Sequence, residues 1–156
     1  MIKTILVPTD FSEHAQRAFE RAFELAAQLG AKLYILHVQT ESALRTAIKE
    51  GLLDAASTNE ALQYAVEQLI EQRFSQTLCV VDQSQVVIQQ VTRRGDPVVV
   101  IPAYATEVGA DLIVIGRRGS GLIDEMRAAV IGSATEGVIR KSPCPVMVVR
   151  REHRGR

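Results

Sequence analysis

The chain has 156 residues, about one domain's worth, and at that size folding buries about 70% of the unfolded surface without a disulfide or metal staple. Hydrophobic residues make up 47% and charged residues 23%, and Lys+Arg equals Asp+Glu at 18 each, so no net field draws nucleic acid or an anionic membrane. Cys79 and Cys144 are too few and too far apart for a disulfide framework or a zinc site, and no apolar run reaches transmembrane length.

Met1-Ile2-Lys3 leads directly into a strand and not into a signal peptide, so the expected compartment is the cytoplasm. The first strand is expected over Ile2 to Val7, ended by Pro8-Thr9-Asp10. Ser12 is the best N-cap for a helix reaching Leu29, with Ala15, Ala18, Phe19, Ala22, Phe23, Ala26 and Leu29 at core spacing. Gly30 stops that helix, and Leu33 to Val38 reads as a second buried strand, making a parallel, right-handed β-α-β unit. Glu41 to Phe74 is helical with breaks at Gly51 and Ser57-Thr58-Asn59, and Leu62, Ala65, Val66, Leu69 and Ile70 share one face of the second piece. Leu78 to Val81 reads as a loop or an extra short strand.

Val86 to Thr92 is a third strand, made polar by Gln89 and Gln90 as suits a sheet edge. Gly95-Asp96-Pro97 then gives turn, N-cap and first helical position. Local signals conflict here, because Val98 to Ile101 favours a strand and Pro102 opposes a helix. A parallel sheet needs a crossover before Asp111, so a helix to about Val108 is expected, with a kink or delayed start near Pro102. Leu112 to Ile115 is a buried strand ending on Gly116, followed by Gly119 and Gly121. Ser133 and Glu136 have capping-box spacing, which predicts a helix starting at Ser133 with Ser133 as its cap. Ser142-Pro143-Cys144-Pro145 ends it, Val146 to Val149 is the last strand, and the 151–156 tail is polar and expected to fray. Residues 1–150 therefore form one α/β domain with a parallel sheet wound on both faces.

In such sheets ligands bind beyond the strand C-termini, where the strand order reverses. A strand, a glycine loop and a helix N-terminus in that order suit an anion, since orphan amides and the helix dipole favour phosphate. Equally, glycines after a strand mark plain surface turns, and neither a Walker loop nor Gly-x-Gly-x-x-Gly is present. Asp10 reads as a ligand contact at the crevice or as an exposed residue before a helix. Arg117, Arg118 and Arg127 stand near enough in sequence to offset phosphate charge, yet Asp124 and Glu125 oppose them and a solvated loop explains all five. His14, His37 and His153 are widely spaced, so no metal site is expected. Cys144, between two prolines, reads as a packing residue.

Ile5-Leu6-Val7-Pro8-Thr9-Asp10-Phe11-Ser12, the His37-Val38 strand end, Gly95-Asp96-Pro97, Ala110 to Gly116 and Ser142-Pro143-Cys144-Pro145-Val146 together resemble the universal stress protein family over nearly the whole chain. The resemblance implies an open five-stranded parallel sheet in the order 3-2-1-4-5, helices on both faces, of the adenine nucleotide alpha hydrolase-like kind. It also implies a homodimer through Val146–Val149. One branch of the family binds ATP through Gly-x2-Gly-x9-Gly-Ser/Thr, with Mg2+ only as a companion of the nucleotide. Gly116, Gly119, Gly132 and Ser133 would match that pattern, although 12 residues, Ser120 to Ile131, stand where it has nine. Closing a loop longer by three costs only about 0.25 kcal/mol in chain entropy. Leu122, Met126 and Val130 recur every four residues, so the excess suits a helical turn that covers or fills the pocket.

By the same resemblance Pro8, Thr9, Asp10, Val38 and Ile115 belong to the nucleoside end of the site. Ser133, Ala134 and Thr135 belong to its phosphate end. Three functions follow: a nucleotide-binding regulatory dimer, a nucleotide-free protein-interaction module of the same fold, and a slow ATP hydrolase. With no P-loop lysine and no evident base, binding is expected ahead of turnover.

Overall fold

A computed structural model describes residues 1–117 and 131–150. The chain alternates strand and helix: β1 (Thr4–Thr9), α1 (Glu13–Leu29), β2 (Lys32–Gln39), α2 (Glu41–Lys49), α3 (Asn59–Leu78), β3 (Ile88–Arg94), α4 (Pro97–Val108), β4 (Leu112–Gly116), α5 (Ser133–Lys141) and β5 (Val146–Val149). The five strands form one parallel sheet in the order β3-β2-β1-β4-β5, as expected.

Alternation along the inner strands sends side chains to two separate cores. Ile5, Val7, Leu33, Ile35 and Val114 pack with Phe19, Phe23 and Phe74, under α1 and α3. Leu6, Leu36, Val38, Ile113 and Ile115 pack with Ile101, Tyr104 and Val138, under α4 and α5. These strands are hydrophobic throughout because both faces are covered.

Several boundaries differ from the expectation. β1 runs to Thr9 and includes Pro8, whose absent N–H breaks nothing. The Asp111 amide donates to the Thr4 carbonyl and the Lys32 amide to the Lys3 carbonyl, so even-numbered residues of β1 face β4. Pairing with β4 reaches only Leu6, whereas pairing with β2 continues to Thr9 opposite His37. Proline thus sits where the ladder toward β4 has already ended. β3 also lies two residues later than expected, carrying Arg93 and Arg94 along an edge where their side chains reach solvent.

Leu29, expected in the core, is half exposed at the last position of α1. α3 extends through Leu78, so that residue is neither loop nor strand, and a single 3-10 turn at Gln83–Gln85 follows. α4 starts at once on Pro97, capped by Asp96, whose Oδ1 accepts the Val98 amide at 2.9 Å; the delayed start near Pro102 does not occur. Asp111, read only as a residue before a strand, accepts the Lys3 and Thr4 amides at 2.8 and 3.0 Å. Those two bonds hold its carboxyl below the ordinary value. The expectations placed on Arg118, Gly119, Gly121, Leu122, Asp124, Glu125, Met126, Arg127 and Val130, and on the 151–156 tail with His153, lie outside the described residues.

Candidate functional site

The premature end of the β1–β4 ladder opens a crevice at the C-terminal end of the sheet. Beyond Leu6 the two strands no longer bond, and α1 and α5 start on either side of the gap. The crevice holds a cavity of about 120 Å³ lined by Pro8, Thr9, Asp10 and Val38 from one side and Ile115, Gly116, Ala134 and Thr135 from the other. This volume is below the roughly 300–1,000 Å³ usual for a whole drug-sized ligand, so the enclosed part suits a flat ring while the remainder of a ligand extends outward. Of the residues expected at the site, Gly132 and Ser133 stand at the start of α5 but do not line this cavity. Sequence reasoning missed Ala15, Leu36, Pro97 and Ile101, which complete its wall. Two of them had a signal: Leu36 alternates with Val38 on β2, and Pro97 follows the Gly95-Asp96 turn.

Gly116 is required for a reason other than a phosphate turn. A Cβ at this position would lie 2.7 Å from the His14 carbonyl oxygen, so the glycine lets the start of α1 close against the end of β4. Its own carbonyl accepts the Thr135 hydroxyl at 2.9 Å, a buried bond that ties α5 to the strand end. The Thr135 hydroxyl therefore has a structural partner already.

The capping box is not formed. Gly132 is the N-cap of α5, Ser133 is the first helical residue, and among the described residues no side chain caps the helix. Glu136 points the other way along the helix and pairs with Arg140 at 2.7 Å. The Gly132 amide donates to the Arg117 carbonyl at 2.9 Å. The amides of Ser133, Ala134 and Thr135 have no carbonyl partner among the described residues, as the first turn of any helix dictates. These orphan donors, at the positive end of the helix dipole, begin beside the cavity wall.

On the opposite rim the chain leaves β1 through a tight turn. Asp10 Oδ1 accepts the Ser12 amide at 2.9 Å, Thr9 Oγ1 accepts the Phe11 amide at 3.0 Å, and Ser12 caps α1. Phe11 has φ 62°, the left-handed region that favours glycine. His37, unassigned in the sequence reading, is buried beneath this turn, with Nδ1 3.0 Å from the Thr9 carbonyl oxygen. Burial lowers its pKa below the ordinary value, partly countered by the Thr9 carbonyl and the Asp10 carboxylate. A second, wider recess of about 750 Å³ lies between α2, α3 and the β3–α4 turn, lined by Leu44, Leu62, Val66 and Arg94 among others. It shares no lining residue with the crevice.

Among the described residues there is no cluster of three or more His, Cys, Asp or Glu that would hold a metal ion. No described helix is long and apolar enough to cross a membrane.

Comparison with known proteins follows the same outline. The model of the universal stress protein family matches residues 1–150. The universal stress protein MJ0577 of Methanocaldococcus jannaschii is 28% identical, over 98% of this chain and 98% of its own. Its solved structure superposes with a TM-score of 0.76, covering 98% of this chain and 99% of that one. A putative universal stress protein of Staphylococcus aureus is 32% identical over 96% of this chain and 85% of its own. A universal stress protein solved in complex with cAMP is 26% identical, with a TM-score of 0.58, covering 97% of this chain and 98% of that one.

Proposed function

The chain belongs to the universal stress protein family, and from that premise we propose that it is a cytoplasmic regulatory dimer, acting in the stress response, that binds ATP or a related adenine nucleotide. The observation that carries the reading is the convergence at one crevice of Pro8, Thr9, Asp10 and Val38 with Gly116, Ala134 and the first-turn amides of α5, which have no carbonyl partner among the described residues. The cAMP complex of a relative supports an adenine nucleotide as the ligand class.

The residues divide the work by chemistry. Pro8, Val38, Ile101 and Ile115 offer an apolar slot for a base. The Asp10 carboxylate stands at the rim, where it would accept a hydrogen bond from a ribose hydroxyl. The amides of Ser133 and Ala134 would receive phosphate oxygens in charge-assisted bonds, each worth about 1.5–3 kcal/mol. Mg2+ would enter only with the nucleotide. Asp10, the carboxylate among the described lining residues, is given to the ribose in this reading and not to a water at the phosphates, so slow hydrolysis at most is expected.

A second reading, a nucleotide-free interaction module of the same fold, draws on one observation: 12 residues separate Gly119 from Gly132, against nine in the ATP-binding pattern. Native mass spectrometry of gently purified protein separates the two. An adenine nucleotide retained by the protein, or taken up when ATP is added, supports the first reading. Protein that neither retains nor takes up any nucleotide leaves the interaction module.

A further inference from the structure

The turn that carries Asp10 is held in a costly conformation by residues that cannot reach the cavity. Phe11 is the one non-glycine residue with positive φ among the described residues, at 62°. Its ring lies against His37 with centroids 4.6 Å apart and meets Phe74 of α3 edge-on at 5.2 Å. His37 Nδ1 lies 3.0 Å from the Thr9 carbonyl oxygen. A carbonyl only accepts, so Nδ1 carries the hydrogen and donates it. Thr9 is thereby engaged twice, its carbonyl by His37 and its hydroxyl by the Phe11 amide.

Alternation along β2 separates His37 from the ligand. Val38 belongs to the core under α4 and lines the cavity, whereas His37 packs against Phe11, which in turn meets Phe74, on the opposite face of the sheet. His37 therefore lies outside the cavity wall and affects a bound nucleotide through Thr9 and the turn that carries Asp10. Backbone strain of this kind persists where surrounding contacts over-determine it, and it gathers beside binding sites.

We propose that His37 and Phe11 are positioning residues for the nucleotide site: the imidazole donates to the Thr9 carbonyl and the phenyl ring fills the space behind it, which holds Asp10 toward the ribose. The inference rests on the nucleotide reading above and names which residues outside the cavity set its geometry.

Two variants separate positioning from packing. An asparagine amide reproduces the Nδ1 donor, whereas glutamine, nearer histidine in size, places its amide where Nε2 would be. His37→Asn should bind ATP and AMP within about threefold of wild type, and His37→Gln should lose about tenfold or more for both, a difference of about 1.4 kcal/mol. A role in packing alone predicts the reverse order, and that order overturns the proposal, as does equal binding by both variants. Should either variant fail to fold, nitrogen-15 NMR of wild-type His37 decides. Protonation at Nδ1, with a resonance that moves on addition of ATP, supports the clamp; protonation at Nε2, or no movement when ATP binds, overturns it. Wild-type protein that binds no nucleotide overturns the nucleotide reading and this inference with it, and is distinguished from the other failures by needing no variant.

Discussion

Gly116 shows how one residue type can serve a different need from the one its neighbours suggest. In sequence it opens a glycine-rich stretch and reads as a phosphate turn. In the fold it ends β4 in ordinary backbone conformation, and its missing Cβ makes room for the His14 carbonyl. Gly116→Ala should therefore destabilise the protein by about 1–3 kcal/mol through overpacking, read as a lower urea midpoint; a variant as stable as wild type contradicts the account. His37 was legible as part of a strand end and as a histidine without metal partners, but not in its role, because its burial and its bond to Thr9 depend on pairing residues 28 positions apart. Its lowered pKa fixes a sign. The unfolded chain takes up a proton near the ordinary value of about 6.5 before the folded one does, so stability falls as pH drops below that point. Asp111 adds a second loss at lower pH, since its depressed carboxyl stabilises the fold only while ionised. Urea midpoints should decline from about pH 7.5 to 5.5 and decline less in His37→Asn; a flat wild-type profile contradicts the assignment.

Elements were legible where period and punctuation agreed. α1 followed from its apolar spacing, Ser12 and Gly30, and β2 and β4 from continuous apolar runs. α4 was legible only from topology: Val98 to Ile101 prefers a strand, and the helix prevails because Asp96 caps it and the parallel sheet needs a crossover. The start of α5 was half legible. The helix begins at Ser133, but tertiary pairing of Gly132 with Arg117 moved the cap back by one residue, to a glycine, and left the N-terminus without a side-chain acceptor among the described residues. An uncapped N-terminus suits an incoming anion, and Gly132→Asp tests this with two opposite outcomes. The carboxylate should cap the helix and raise stability by a few tenths of a kcal/mol, visible in thermal melts. It should also repel phosphate and weaken ATP binding about tenfold or more. Gain in stability with unchanged ATP affinity would place the phosphates elsewhere.

At the scale of the molecule, the sheet order, the two cores and most of the crevice wall were readable from the sequence through the family resemblance and the rule for parallel sheets. Ala15 and Ile101 were not, because lining a crevice from a helix depends on how that helix closes over the sheet. The edge formed by β5 carries the assembly proposal. Pro145 and Val149 bond β4 through their carbonyls, so alternation turns the backbone groups of Val146 and Val148 toward the open edge. Val148→Pro would remove an edge donor while sparing the β4 ladder. Wild type should sediment as a dimer at tens of micromolar and the variant as a folded monomer; a stable wild-type monomer contradicts a β5 interface. The central claim is the nucleotide itself, and calorimetry on protein freed of bound ligand tests it most directly. The account predicts saturable heat with ATP and with ADP, and a weaker response to GTP. No heat with any of the three, from protein that is folded and ligand-free, would contradict it.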